Sequence, residues 1–400
     1  MNKNTRTTIC LDFFRTFFHI GLFTIGGGYA MIPLIESEVV NRHRWMNRTD
    51  FLDLLAIAQS VPGVFAVNMA VFIGYKLRGL RGSIASALGT VLPSFLIILS
   101  VAIFFQRFRE YELVEQIFKG IRPAVVALIA VPTFNVARSA GISRRTIWIP
   151  IVSTLLIWQF GVSPVWIIIA AGLGGYLFYQ SHKTPCSIIS ILLSAKAGMA
   201  NSAVWSSMLF LPLFYTFFKI GLFGFGGGYA MLSMIQGEVV NHYGWISASE
   251  FTDIVAVSQM TPGPIGINSA TYVGYLASVG AGHSLWMGIA GSAMATTAVV
   301  LPSFLLMLGI SRLLLRHKDS PLLESVFRIL RPAVVGLLAS AALLLMNAEN
   351  FGSFNNSPRQ FFISIALFIG AFVAVRSFKA SPIRVILASG LIGALVYGWF

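Results

Sequence analysis

The chain has 400 residues, of which 56% are apolar and only 10% are Asp, Glu, Lys or Arg, against about 25% charged residues in a soluble domain. Such a composition cannot cover a water-facing surface. The net charge of +14 does not point to nucleic acid, because Lys and Arg fall between apolar blocks, as at Arg42, Arg44 and Arg48, which is the pattern of membrane topology.

In chain order, the N-terminal basic residues precede an apolar run, but Arg15 interrupts it and no small-residue cleavage site follows, so a retained first helix is expected. Apolar blocks then fall at roughly 12–38, 49–76, 83–106, 113–137, 146–160 and 163–180. Several approach or exceed the ~20 residues that cross a bilayer. They are expected to be helical, because lipid offers no partner to backbone N–H and C=O groups and no alternating strand pattern suggests a barrel. A polar stretch around 181–205 follows, and then a second set of blocks. Cys10 and Cys186 stand apart, without metal-ligand or disulfide spacing.

The second set repeats the first. Gly21–Met31 recurs as Gly221–Met231 with nine matches in eleven, an offset of 200. In that register Glu38, Asn41, Trp45, Phe51 and Asp53 pair with Glu238, Asn241, Trp245, Phe251 and Asp253. Gln59, Pro62, Gly63, Asn68, Gly74 and Tyr75 pair with Gln259, Pro262, Gly263, Asn268, Gly274 and Tyr275. After an insertion the offset becomes 209, and Leu-Pro-Ser-Phe-Leu at 92–96 matches 301–305, as Arg-Pro-Ala-Val-Val at 122–126 matches 331–335. The expected fold is therefore an all-α integral membrane protein of two homologous repeats, 1–195 and 196–400, each with about six apolar segments. The loops near 41–48 and 76–81 are rich in Arg and Lys while those near 241–248 and 276–284 have neither, which favours inverted repeats. The loops at 107–122 and 312–331 are both basic and weigh the other way.

Gly26, Gly27 and Gly28, repeated at Gly226, Gly227 and Gly228, should interrupt a helix, since each Gly costs about 1 kcal/mol relative to Ala. Pro62-Gly63 and Pro262-Gly263 split the next block of each half and are the expected hinges. Half-helices such as 49–60 and 64–77 are too short to span alone, so re-entrant hairpins are expected. Interrupted segments at matching positions of two halves point to a transport site. The free N–H groups and partial positive charge of a half-helix N-terminus suit an oxyanion. The alternative for the glycines is close helix packing.

Charged and polar residues add candidates. Arg122 and Arg331 could neutralise an anion or snorkel to headgroups, and Lys219, where the first half has His19, could do the former. Asp53, Asp253, Glu38 and Glu238 are candidates for proton coupling, with helix capping as the alternative. Gln59, Gln259, Asn68 and Asn268 flank the Pro-Gly breaks and could bind substrate or satisfy freed carbonyls; Tyr29 and Tyr229 follow the glycines directly.

The run Phe-Phe-x-Ile-Gly-Leu-Phe-x-x-Gly-Gly-Gly, then Pro-Gly with a downstream Asn and Gly-Tyr, Leu-Pro-Ser-Phe and Arg-Pro-Ala-Val-Val, resembles the chromate ion transporter (CHR) family over both halves. The resemblance implies a two-domain form with halves of opposite orientation. It also implies export of chromate, with sulfate as its analogue, across the bacterial inner membrane. Many long members carry Phe-Gly-Gly-Pro where this chain has Ile25-Gly-Gly-Gly28 and Phe225-Gly-Gly-Gly228, a form more like the short single-domain members. The implied partners are the oxyanion and the lipid bilayer, with no nucleic acid and a homodimer left open; no metal or other cofactor is called for. A transporter or passive channel for another small inorganic anion is the competing reading. A lipid-acting enzyme finds no support, since there is no HExxH pair, calcium loop or GxSxG elbow and the six His are not clustered.

Overall fold

The computed structural model describes residues 3–25, 31–108, 111–143, 146–181, 209–225, 227–282, 284–314 and 321–398. Among them every regular element is a helix, and the one β feature is an isolated antiparallel bridge between Ile25 and Pro262. The first half comprises α1 (Lys3–Phe23), α2 (Ile32–Glu36), α3 (Arg48–Ser60), α4 (Phe65–Phe108), α5 (Glu112–Ser139), α6 (Trp148–Trp158) and α7 (Pro164–Ser181). The second comprises α8 (Phe210–Phe223), α9 (Gly228–Ile235), α10 (Ala248–Met260), α11 (Ile265–Gly280), α12 (Leu285–Leu314) and α13 (Pro321–Leu345). It ends with α14 (Ala348–Phe351), α15 (Pro358–Phe378) and α16 (Pro382–Gly398). The expected linker beyond Ser181 lies outside the described residues.

The halves match in detail. Both α2 and α9 run on into π-helices, Ser37–Arg42 and Gln236–His242. Both α3 and α10 start on a side-chain cap: Asn47 accepts from the Asp50 N–H at 2.7 Å, and Ser247 with Glu250 forms a capping box. Helix α4 is two arms, because Arg78 and Gly79 leave helical geometry, Gly79 with φ +61°. The arms fold back on each other: Ser83 Oγ donates to the Val71 carbonyl at 2.9 Å. Helices α11 and α12 repeat this as separate elements, with Ser292 Oγ donating to the Thr271 carbonyl at 2.8 Å.

The chain also folds back at each break that the sequence marks. Lys76 Nζ lies 2.6 Å from Asp50 Oδ2, which closes the base of a hairpin between α3 and the first arm of α4 with Pro62-Gly63 at its tip. Lys219 and Glu238 meet at 2.7 Å on either side of the second glycine run. In the first half the Phe13 and Trp45 rings pack at 4.6 Å across the equivalent run. Each half thus presents a tip at its Pro-Gly pair, and a chain end at the start of its glycine run, at Thr24 and Gly224.

Helices α4, α5, α12, α13 (over Arg328–Leu345) and α15 are long and apolar enough to cross a membrane, and α6, α7, α8 and α16 are shorter apolar helices. Large apolar side chains such as Phe104, Trp148, Trp158, Trp166, Phe362 and Leu391 face outward, which lipid rather than water accommodates. The protein is an integral, multi-pass membrane protein.

The closing helices of the halves are exchanged. Helices α6 and α7 of the first half pack on α13 of the second, while α15 and α16 of the second pack on α5 of the first. Small residues allow the contact: a Cβ on Gly175 in α7 would strike the Val326 backbone, and one on Gly120 in α5 would strike Ser389 and Gly393 of α16. Gly175→Val and Gly120→Val should therefore each cost about 1–3 kcal/mol of stability through overpacking. Thermal unfolding in detergent checks this, with Gly370→Val, where a Cβ meets nothing within 4 Å, leaving the midpoint close to the parent value.

Candidate functional site at the crossing of the hairpin tips

The tips meet across the halves. The Gly63 N–H donates to the Gly224 carbonyl at 2.9 Å, and the Gly263 N–H donates to the Thr24 carbonyl at 2.8 Å. Thr24 and Gly224 are equivalent positions, so the glycine tip of each half is tied to the Pro-Gly tip of the other. Gly63 and Gly263 hold φ of +112° and +105°, a region that glycine reaches without penalty and other residues avoid. The carbonyls of a broken helix must find donors when water is excluded. Here the opposite half supplies them.

Gly26, Gly27, Gly28, Tyr29 and Gly226 lie outside the described residues. Gly227, with φ +85°, precedes Gly228, the first residue of α9. A Cβ on Gly228 would stand 3.7 Å from the Gly266 amide nitrogen and 3.8 Å from that of Ile265, so the N-termini of α9 and α11 abut. Neither carries a side-chain cap, their cap positions being Gly227 and Pro264. Two helix N-termini bring two partial positive charges to one place. Tyr229 instead packs with Val334 and Leu338 of α13.

Asn68 and Asn268 bind backbone. Asn68 Nδ2 donates to the Val61 carbonyl at 3.1 Å, with Ala58 and Pro62 carbonyls at 3.4 Å. Asn268 Nδ2 reaches the Ser258 and Pro262 carbonyls at 3.3 Å and Thr261 Oγ1 at 3.2 Å. Both amides staple the end of the incoming helix to the start of the outgoing one, and both leave Oδ1 buried without a partner. Gln259 is fully buried with neither amide atom partnered, whereas Gln59 is exposed. Two residues not among the candidates from sequence also reach the tips. Ser303 Oγ accepts from the Val64 N–H at 2.8 Å, and Ser94 crowds Gly263 as Ser303 crowds Gly63. The repeated Leu-Pro-Ser-Phe run was the signal that could have found them.

The candidate charges divide by half. Arg122, 4% exposed, makes paired bonds to Asp253: Nε to Oδ1 at 2.8 Å and Nη2 to Oδ2 at 2.9 Å. It also bonds Glu115 at 3.0 and 3.2 Å. This arginine neither snorkels nor stands free for an anion, and Asp253 caps nothing. Their counterparts Arg331 and Asp53 are both exposed. The difference follows from packing: α10 sits against α5, α14 and α16, whereas the packing of α3 is chiefly on α4. Glu238, 5% exposed, pairs with Lys219 and accepts from Ser163 Oγ at 3.3 Å; Glu38, 7% exposed, pairs with Arg42 at 3.1 Å and lies 3.5 Å from His43 Nε2. None of the four acids is a helix cap. Among the described residues no group of His, Cys, Asp and Glu could hold a metal ion.

Removing the Asp253 charge takes the buried partner from Arg122, which keeps Glu115, so the cost falls below the value of about 3–5 kcal/mol for a fully uncompensated buried charge. Asp253→Asn should still lower the thermal midpoint, while Asp53→Asn at the exposed equivalent should cost under about 1 kcal/mol. Equal losses in detergent-solubilised protein would contradict the inequivalence of the halves.

Comparison with known proteins fits this two-part architecture. The family model described as Chromate transporter matches residues 11–176 and again 211–394. A chromate transport protein of Pseudomonas aeruginosa is 28% identical, covering 96% of this chain and 92% of its own. An uncharacterized transporter of Methanocaldococcus jannaschii is 29% identical over 83% of each chain. The uncharacterized transporter YwrA of Bacillus subtilis is 32% identical over 42% of this chain and 97% of its own length, so one half has a free-standing counterpart. No solved structure matches. With its family model matched twice along most of its length, this chain belongs to the chromate transporter family.

Proposed function

We propose that the protein carries a tetrahedral oxyanion, chromate with sulfate as its analogue, out of the cytoplasm across a bacterial inner membrane. The observation that carries this is the abutment of the uncapped N-termini of α9 and α11 where the tips of both halves cross. An anion there would gain N–H donors and dipole charge without a competing carboxylate cap. Fully buried Gln259, with two donor hydrogens and no partner, adds a neutral group of the kind that hydrogen-bonds an oxyanion. The chromate transport protein of Pseudomonas aeruginosa points to the same substrate. Arg122 is assigned to the scaffold, because its charge is already matched by Asp253 and Glu115.

On this reading 1–195 and 196–400 are inverted repeats, and the four tips are re-entrant. Tip-to-tip contact between halves and the Arg- and Lys-rich loops at only the first half's hairpin bases support inversion. Access then alternates by exchange of the two halves' conformations. Buried α10, latched by Asp253 and Arg122, closes one side, and exposed α3, next to the basic loops, leaves the cytoplasmic side open. Glu238, paired with Lys219 inside the protein, is the strongest of the proton-coupling candidates, since protonation would release a cation near the transport path.

The test is uptake of radiolabelled chromate by proteoliposomes, with excess sulfate as competitor and with or without a pH gradient. Gradient-driven uptake that sulfate blocks is the expected result, and Gly228→Val, which places methyl groups over the Ile265 and Gly266 amides, should reduce it to background while the protein stays folded. Glu238→Gln should remove the response to the pH gradient. Voltage-driven current without competition or gradient dependence would identify a channel instead.

A further inference from the structure

The two serines of the repeated Leu-Pro-Ser-Phe run stand in equivalent places and differ in one bond. Ser303 Oγ accepts from the Val64 N–H at 2.8 Å. The position equivalent to Val64 in the second half is Pro264, and proline has no N–H to give. Ser94 Oγ accordingly has no hydrogen-bond partner although its residue is 0% exposed. A helical serine commonly turns its hydroxyl back to the carbonyl four residues earlier, as Ser86 does to Gly82 and Ser100 to Leu96. Ser94 does not.

Its surroundings hold a second unpartnered polar atom. Ser94 Oγ lies where a Cβ of Gly263 would otherwise be, and Asn268 Oδ1, also buried and unpartnered, is 3.5 Å from that same point. Asn268 Nδ2 is committed to Ser258, Thr261 and Pro262, so on this side Asn268 offers an acceptor and Ser94 is the group that can donate. Leaving a buried hydroxyl unsatisfied is costly; Thr216, Ser258, Ser269, Ser278 and Ser364 share this state, and Ser94 is set apart by its place against the Gly263-Pro264 turn. Pro264 is also the N-cap residue of α11 and lacks any capping side chain, which puts the free hydroxyl beside the uncapped helix end.

We propose that Ser94 is a substrate-binding residue whose hydroxyl donates to an oxygen of the transported oxyanion, and that Pro264 keeps it free by withholding the amide that locks Ser303. The inference rests on the oxyanion reading above and adds to it that the two halves contribute unequally: the first half gives a hydroxyl, and the second gives the helix end. Ser303, by contrast, is structural.

The experiment measures KM and maximal rate for chromate uptake in proteoliposomes, together with the thermal midpoint, for the full chain and its Ser94→Ala, Pro264→Ala and Ser303→Ala variants. Ser94→Ala should raise KM about tenfold or more, as loss of a hydrogen bond to a charged group does, with the midpoint unchanged. Pro264→Ala restores an N–H that engages Ser94 and should raise KM in the same direction, but add nothing in the Ser94→Ala background. Ser303→Ala should lower the midpoint. An unchanged KM in Ser94→Ala overturns the inference, and if that variant fails to fold, an unchanged KM in Pro264→Ala overturns it instead. Either result in a parent that transports chromate leaves the oxyanion reading standing, whereas a folded parent that moves neither chromate nor sulfate overturns both.

Discussion

A backbone N–H or C=O in hydrocarbon must be bonded inside the protein, and the buried breaks of this membrane protein's helices meet the same demand. The structure answers by making each half complete the other. The Gly63 and Gly263 amides go to carbonyls at the opposite glycine tips, Asn68 and Asn268 take carbonyls at their own hairpin turns, and Ser303 takes the Val64 amide. Neither half can close its breaks alone. The positive φ of both Pro-Gly glycines and the repeated asparagines follow from this constraint, as does the crossing of the tips.

The same constraint explains where polarity is left over. Backbone needs consume the asparagine amides and one serine, and Gln259, Ser94 and the two Oδ1 atoms at or next to the tips keep buried polar atoms without partners, as do residues elsewhere such as Thr216, Asn350 and Ser364. Buried polar groups are normally satisfied, and those at the crossing lie beside two uncapped helix ends, which is the ground for the proposed site. The charges serve a different purpose. Arg122 with Asp253 and Glu115 ties α5 to α10, and Lys219 with Glu238 joins the two sides of the second glycine run.

Much of this was legible in the sequence because the signals were local or repeated. The helical membrane class follows from composition, and the breaks follow from glycine and proline physics. The hairpins over 49–60 and 64–77 are found within a residue or two as α3 and the first arm of α4. Asn68 and Asn268 direct their Nδ2 atoms to carbonyls at the hairpin turns. What could not be read was anything that depends on which half faces which. Sequence gave Asp53 and Asp253 one description, yet one is exposed and the other bonds Arg122 from a distant helix. Likewise, Ser94 and Ser303 lie in identical pentapeptides, and their difference arises from residues 64 and 264, which are remote from both in sequence. A repeat alignment records equivalence; three-dimensional packing decides where equivalence ends.

The exchanged closing helices bear on how the chain is made. Helices α6 and α7 leave the ribosome well before α13, the surface they pack on. Until Pro321–Leu345 is in the bilayer this pair has lipid for a neighbour, and α5 likewise waits for α15 and α16. Insertion can proceed helix by helix, but assembly of either half must await the other, so the protein reaches its final form late in synthesis and as a single event. A chain truncated after α12 would lack partners for both halves, and would give the cell's quality-control proteases two incomplete halves in place of one functional domain.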